Sequence, residues 1–255
     1  MDDSVRLFPR GLAQPATGFR FGADALLLAS FLPLGPERLL DLGTGCGAVA
    51  LGWFLRGGSR NVPLSAVGLD VNQEMVACAR ENATRLGLAD RFEAVESDIR
   101  AMRAGIAPES FDLVACNPPY RDPCAGRLPA DPDRREAMFD EAERSAGLAD
   151  FIAAAAYALP ERGRACFVFM AERLPVLLAG FAAHGLEPKR LRLAHPRREA
   201  PARLALVEAR KRGGQGLVVE PPLFLYKGTR LTTDALAFCP FLSCNSGSNE
   251  GDERL

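Results

Sequence analysis

Short apolar runs and stretches of helical periodicity alternate along this chain, which predicts a parallel sheet with helices on both faces. Strands are expected at 38–42, 66–71, 91–96, 111–116 and 164–170, each bounded by turn residues. Helices are expected at 48–56, 73–87, 145–159 and 174–184. The second is the clearest, because Met75, Ala79, Ala83 and Leu86 share one face and Gly87 stops it. Two last strands, at 190–194 and 204–209, flank a short polar turn containing proline, which suits an antiparallel pair at a sheet edge. The expected fold is therefore α/β: a seven-stranded, mostly parallel sheet with an antiparallel last strand. Residues 1–32 form an N-terminal covering segment in this reading, with an amphipathic helix from Ala23 to Leu32. Residues 33–242 form the main domain, and 243–255, rich in Ser, Asn, Gly and acids, a disordered tail.

Composition narrows the function classes. Hydrophobic residues make up 48% and charged residues 25%, an ordinary globular balance. No apolar run approaches the roughly 20 residues of a membrane span, and Met1–Arg10 lacks the basic-then-apolar order of a secretory signal. A cytoplasmic monomer without a membrane partner is expected. Seven cysteines, none paired as CxxC, and two histidines suggest neither a disulfide framework nor a metal site. The net charge of −1 hides an asymmetry, since Gly185 to Arg230 holds eleven bases and four acids. Such a stretch is either a phosphate-binding face or a solvated surface.

Candidate chemistry begins where the first strand meets the first helix, at Asp41-Leu42-Gly43-Thr44-Gly45-Cys46-Gly47. Glycines there permit a tight turn and close approach of backbone to a ligand. The spacing also fits a dinucleotide site, and Asp70, at the end of the second strand, could accept from ribose hydroxyls in either case. Three features favour a different cofactor. Asp41 would repel a pyrophosphate but attract the ammonium of a methionine moiety. Asp98, followed by apolar Ile99, suits an adenine, with the carboxylate on the exocyclic amine and the side chain on the ring face. The fourth strand ends in Asn117-Pro118-Pro119-Tyr120, which has no part in hydride transfer.

These elements, in this order, resemble the class I methyltransferases that act on planar nitrogens, a Rossmann-like group. The resemblance implies S-adenosylmethionine as cofactor, held by Asp41, Gly43, Thr44, Gly45, Gly47, Asp70, Val71, Asn72, Asp98, Ile99 and Asn117. It implies Asn117, Pro118 and Tyr120 as the catalytic set. An exocyclic amino nitrogen shares its lone pair with the ring and is a poor nucleophile. Oxygens of Asn117 and Pro118 that accept its two N–H bonds would turn that lone pair toward the methyl group, and the Tyr120 ring would stack on an extruded base.

The opening is more particular. Gly18-Phe19-Arg20-Phe21-Gly22-Ala23-Asp24-Ala25 is similar to the start of bacterial tRNA1(Val) adenine-37 N6-methyltransferases, as are Asp133-Arg134-Arg135-Glu136-Ala137 and the closing Leu204–Lys211 strand. This implies methylation of adenine N6 in tRNA, with Gly22 and Asp24 near the methionine end of the cofactor. Arg121 and the loop after it depart from the family pattern. Arg20, Arg121, Arg134, Arg135, Arg197 and Arg198 are the candidates to meet tRNA phosphates. Alternatives with the same motif are methylation of a release-factor glutamine amide or of guanine N2 in RNA.

Overall fold

The structure, a computed structural model, describes residues 8–16, 20–57, 64–119 and 146–245. Its elements in chain order are α1 (Ala23–Phe31), β1 (Arg38–Leu42), α2 (Ala48–Gly57), β2 (Ser65–Asp70), α3 (Gln73–Arg85), β3 (Phe92–Glu96) and β4 (Leu113–Cys116). Then follow α4 (Leu148–Ala158), β5 (Arg164–Met170), α5 (Leu174–Ala183), β6 (Leu186–His195) and β7 (Leu204–Lys211). The chain closes with β8 (Val218–Val219), β9 (Leu223–Phe224), β10 (Tyr226–Lys227), β11 (Arg230–Leu231) and α6 (Thr233–Phe238).

Among the described residues the main sheet has nine strands, in the order β3-β2-β1-β4-β5-β7-β6-β8, with β9 also on β6. The strands from β3 to β5 run parallel, and β7 is antiparallel to both β5 and β6. The chain starts at β1, walks outward to β3, then returns to β4 on the other side of β1. That reversal opens a crevice beyond the carboxyl ends of β1 and β4, where open α/β sheets bind ligands. The fold is the expected Rossmann-like class, enlarged by two short strands that follow β7.

Alternation along each strand divides the core in two. Leu39 of β1 joins Leu26–Leu28, Phe31 and Trp53 on one face; Leu40 and Leu42 join Phe151, Phe167 and Phe181 on the other. Burial of both faces explains why the central strands read as nearly continuous apolar runs. Helix α1 departs from the amphipathic expectation: Asp24 to Phe31 are all buried. It packs on β5 and β7 and against α2, and its outer side is covered by a 3-10 turn at Pro240–Asn245. There Cys239 Sγ lies 3.4 Å from Leu26 O, and Phe8 and Phe241 meet edge to face at 4.7 Å. Ser243 to Asn245 therefore belong to an ordered turn, not to the expected tail.

The basic stretch also changes character. Arg190 donates to buried Glu208 and to Glu220, each at 2.7 Å, and Arg192 lies 3.8 Å from Glu220. Lys211 reaches Glu109 and the Leu159 carbonyl, and Arg212 reaches Glu161. Ion pairs thus engage four of the eleven bases, two of them with acids from outside the stretch.

Among the described residues no helix is long and apolar enough to cross a membrane, and no group of three His, Cys, Asp or Glu side chains could hold a metal ion.

Candidate active site

The Gly-rich turn is pinned to β2. Gly43 and Thr44 donate their N–H groups to Leu69 O at 2.8 and 2.9 Å, and Gly45 N donates to Asp70 Oδ2 at 2.8 Å. Gly43, Gly45 and Gly47 all have positive φ, at 71°, 55° and 86°, a region costly for side chains with a Cβ. Beneath the turn, Thr44 Oγ1 donates to Asp41 Oδ2 at 2.8 Å. A Cβ at Gly68 would stand 2.6 Å from Thr44 Oγ1, so a glycine on β2 is what lets Thr44 tuck in.

Asp41 is 1% exposed, and its Oδ1 has no hydrogen-bond partner among the described residues. It braces the turn from behind Thr44 and lines neither hollow described below. Burial pushes its carboxyl up from 3.8 to about 7; the Thr44 hydrogen bond opposes this and the charge of Asp70 adds to it. Because the folded value is raised, the group's stabilising contribution is complete below about pH 4 and lost as pH rises through about 7. Asp41→Asn keeps an acceptor for Thr44 but cannot ionise. In urea denaturation of the ligand-free protein, its stability relative to the parent chain should improve by about 2–3 kcal/mol from pH 5 to pH 8. An equal difference at both pH values would contradict this.

A hollow of about 380 Å³ opens at the carboxyl ends of β1, β2 and β4, within the range of small-molecule sites. Asp24, Gly43, Gly45, Asp70, Val71 and Asn72 line it, with Asp98, Ile99, Asn117 and Pro118. Asp70 sits on its wall, with Oδ1 accepting from Asn72 N at 2.9 Å. Asn72 caps α3 by accepting from Glu74 N and Met75 N. Val71, a large apolar side chain, is 72% exposed at the rim, while Ile99 is buried opposite. Asp98 is engaged otherwise than expected. Its two oxygens face the Arg100 guanidinium, with contacts of 2.6 and 3.0 Å, and this holds its carboxyl below the usual range. The pair is partly exposed and worth little, so an amine can displace Arg100 cheaply.

A second, smaller hollow shares Gly43, Gly45, Met75 and Asn117 with the first and adds Thr44, Gln14 and Phe21. Gln14 Oε1 accepts from Phe21 N at 3.3 Å, which ties the segment 8–16 to the entry of α1. That segment is held down by fully buried Asn82 of α3. Its Nδ2 donates to Ala13 O at 3.0 Å and Cys46 O at 2.9 Å, and its Oδ1 accepts from Ala13 N at 2.6 Å. One side chain thereby joins the N-terminal cover to the Gly-rich turn. Sequence reasoning missed Asn82, as it missed Phe151, Met75 and Ser97 on the wall. A polar residue on the otherwise apolar face of α3 is the signal that could have found Asn82.

Asn117, at the end of β4, lines both hollows, and its Nδ2 donates to Asp24 Oδ2 at 3.1 Å. Asp24 Oδ1 accepts from Ala25 N at 2.9 Å. An ionised carboxylate only accepts, so the donor end of the Asn117 amide faces Asp24 and the acceptor end is turned away. Gly22 precedes α1, where a Cβ would meet Asp24 Oδ1 at 2.9 Å; Gly47 lies below the turn against Leu51 and Phe92. Neither lines the hollows. Arg20, Arg197 and Arg198 are exposed. Tyr120, Arg121, Arg134 and Arg135 lie outside the described residues.

This fold and hollow define a class I methyltransferase. Among solved structures, a predicted O-methyltransferase from Agrobacterium tumefaciens superposes with a TM-score of 0.65 at 22% identity, over 86% of this chain and 96% of that one. TrmN from Thermus thermophilus gives 0.51 at 21% identity, over 74% and 48%. Residues 56–175 match the family described as UPF0020, RMKL-like, methyltransferase domain. A tRNA1(Val) (adenine(37)-N6)-methyltransferase from Porphyromonas gingivalis is 30% identical over 185 residues, 70% of this chain and 69% of that protein. Another from Enterobacter sp. is 32% identical over 161 residues, 62% of this chain and 61% of its own length. The chain belongs to the tRNA1(Val) (adenine(37)-N6)-methyltransferase family. Its match spans 61% of the Enterobacter relative and 40% of one from Bacteroides thetaiotaomicron.

The family's cofactor is S-adenosylmethionine, and the residues fit it. A buried acid backs the Gly-rich turn, a carboxylate stands at the end of β2, and an apolar side chain is left in water where a flat ring would cover it.

Proposed function

We propose that the protein transfers a methyl group from S-adenosylmethionine to N6 of an adenine in tRNA, adenine 37 of tRNA1(Val) on the strength of its relatives. The observation that carries this reading is the Asn117 amide, oriented by Asp24 at the shared edge of two hollows and followed by Pro118.

Gly43, Thr44 and Gly45 shape the floor for the methionine end, and buried Asp41 braces them from behind through Thr44. Asp70 takes the ribose hydroxyls, each oxygen keeping a lone pair beyond its present N–H partner. Asp98 takes the adenine amine in exchange for Arg100, and Val71 and Ile99 enclose the ring. When bound, the cofactor supplies an electrophilic methyl on a sulfonium that leaves readily. No strong base is then required of the protein, and its task is placement. Asn117 Oδ1 and the Pro118 carbonyl each accept one N–H of the target amine. That holds the nitrogen in one orientation and favours the pyramidal geometry of the transition state. Pro118 and Pro119 stiffen the turn and bring no competing N–H. The family resemblance assigns Tyr120, which lies outside the described residues, to stacking on the extruded base.

The test is labelled methyl transfer to tRNA lacking the modification, followed by nucleoside analysis. Label in N6-methyladenosine is the expected result. Label in N2-methylguanosine, or in a release-factor glutamine when both substrates are offered, overturns the reading.

A further inference from the structure

Ion pairs engage Arg190, Arg192, Lys211 and Arg212, whereas four other bases between Gly185 and Arg230 gather in one cluster. The turn between β6 and β7, residues 196–203, and the β10–β11 hairpin are stacked on each other. Leu225 N donates to His195 O and Tyr226 N to Pro196 O, both at 2.9 Å, and Arg197 Nε donates to Gly228 O at 3.3 Å. The His195 ring lies 5.2 Å from that of Phe224, with Arg198 over the other ring at 6.0 Å, and His195 Nδ1 meets Ala200 O at 2.9 Å. The result is a braced double layer from which Arg197, Arg198, Lys227 and Arg230 project into solvent. None of the four has an ion-pair partner among the described residues. The nearby exposed acids are Glu199 and Asp234, so the platform stays positive.

Its place in the sheet matters as much as its charge. Leu204, where β7 begins, pairs with Met170 at the carboxyl end of β5, and Cys116 of β4 pairs with Phe167. The turn between β6 and β7 therefore lies on the same side of the sheet as Asn117, beyond β5.

We propose that the stacked hairpins grip the phosphate backbone of the substrate RNA flanking the base being methylated, with Lys227 and Arg230 acting beside Arg197 and Arg198. This rests on the tRNA reading above. The sequence alone suggests Arg197 and Arg198; the second layer follows from the stacking of the two hairpins.

The test uses the full chain with Arg198→Gln, Lys227→Gln and Arg230→Gln combined, and a charge-preserving set with Arg198→Lys, Lys227→Arg and Arg230→Lys. Binding of unmodified tRNA is measured across salt, beside Tm and S-adenosylmethionine affinity as controls. The neutral set should weaken tRNA binding roughly 10- to 100-fold at 0.1 M salt and make the salt slope shallower by about two to three. The charge-preserving set should stay near the parent. Unchanged affinity and slope in a folded neutral variant overturns the platform. If the neutral set loses tRNA binding but the parent yields no N6-methyladenosine, the platform stands and the functional reading alone falls.

Discussion

Asn117→Ala should lower kcat by roughly 10²–10³ while leaving affinity for S-adenosylmethionine and for tRNA within a few-fold of the parent. The asymmetry follows from where the amide stands. Asp70, Val71, Asp98 and Ile99 line the large hollow alone, whereas Asn117 sits where the two hollows meet. Its loss removes an acceptor that matters most when the amine pyramidalises, so the effect belongs in kcat rather than in KM. The side chain also supplies a donor to Asp24, so the alanine variant leaves a mostly buried carboxylate short of one partner. Some stability is lost, on the order of 1–3 kcal/mol, and assays belong well below the variant's Tm. Asn117→Asp separates the two effects. It preserves shape but sets two carboxylates against each other, and should be as inactive as the alanine variant. Single-turnover rates with saturating cofactor and tRNA measure this. Alanine-variant activity within threefold of the parent would remove the amide from the chemistry.

The parts of the fold visible in the sequence are those fixed by local rules. The strands β1, β4 and β5 are covered on both faces, so they read as nearly continuous apolar runs, and turn residues mark their ends. The two-residue strands β8 to β11 carry no period to read. The start of β6 escapes because its pairing shifts between Pro188 and Arg190, where a bulge interrupts the alternation. Helix α1 is apolar enough to be buried all round, but its outer cover comes from residues more than two hundred positions later. The candidate site divides in the same way. Asp70, Asp98 and Asn117 can be placed because open sheets bind ligands at strand ends. Asp41 could have been placed better: period-two alternation puts it on the face of Leu39, in the core, not in the hollow. The Arg100 contact of Asp98 and the pairing of Arg190 with Glu208 depend on rotamers and strand neighbours that no local pattern encodes.

Asp24 shows what such long-range contacts add to the chemistry. The family resemblance places it near the methionine end of the cofactor, and it does line the large hollow. Its hydrogen bond to Asn117, 93 positions away, gives it a second task as a positioning residue. A neutral amide can turn over and present either end, whereas a carboxylate opposite accepts only and locks one orientation. Asp24→Ala should therefore lower kcat by about 10²-fold, and Asp24→Asn by about 10-fold, since its own amide can satisfy Asn117 in two ways. The alanine variant also gives up the contact to Ala25 N in the first turn of α1, at a cost of about 1 kcal/mol. A purely structural role would lower Tm and leave kcat at low temperature close to the parent. The decisive measurement is the double mutant. If Asp24 acts through Asn117, the pair Asp24→Ala and Asn117→Ala should be no slower than Asn117→Ala alone, because the orientation of an absent amide has no effect. Multiplication of the two losses would mean that Asp24 touches the cofactor or the target on its own account.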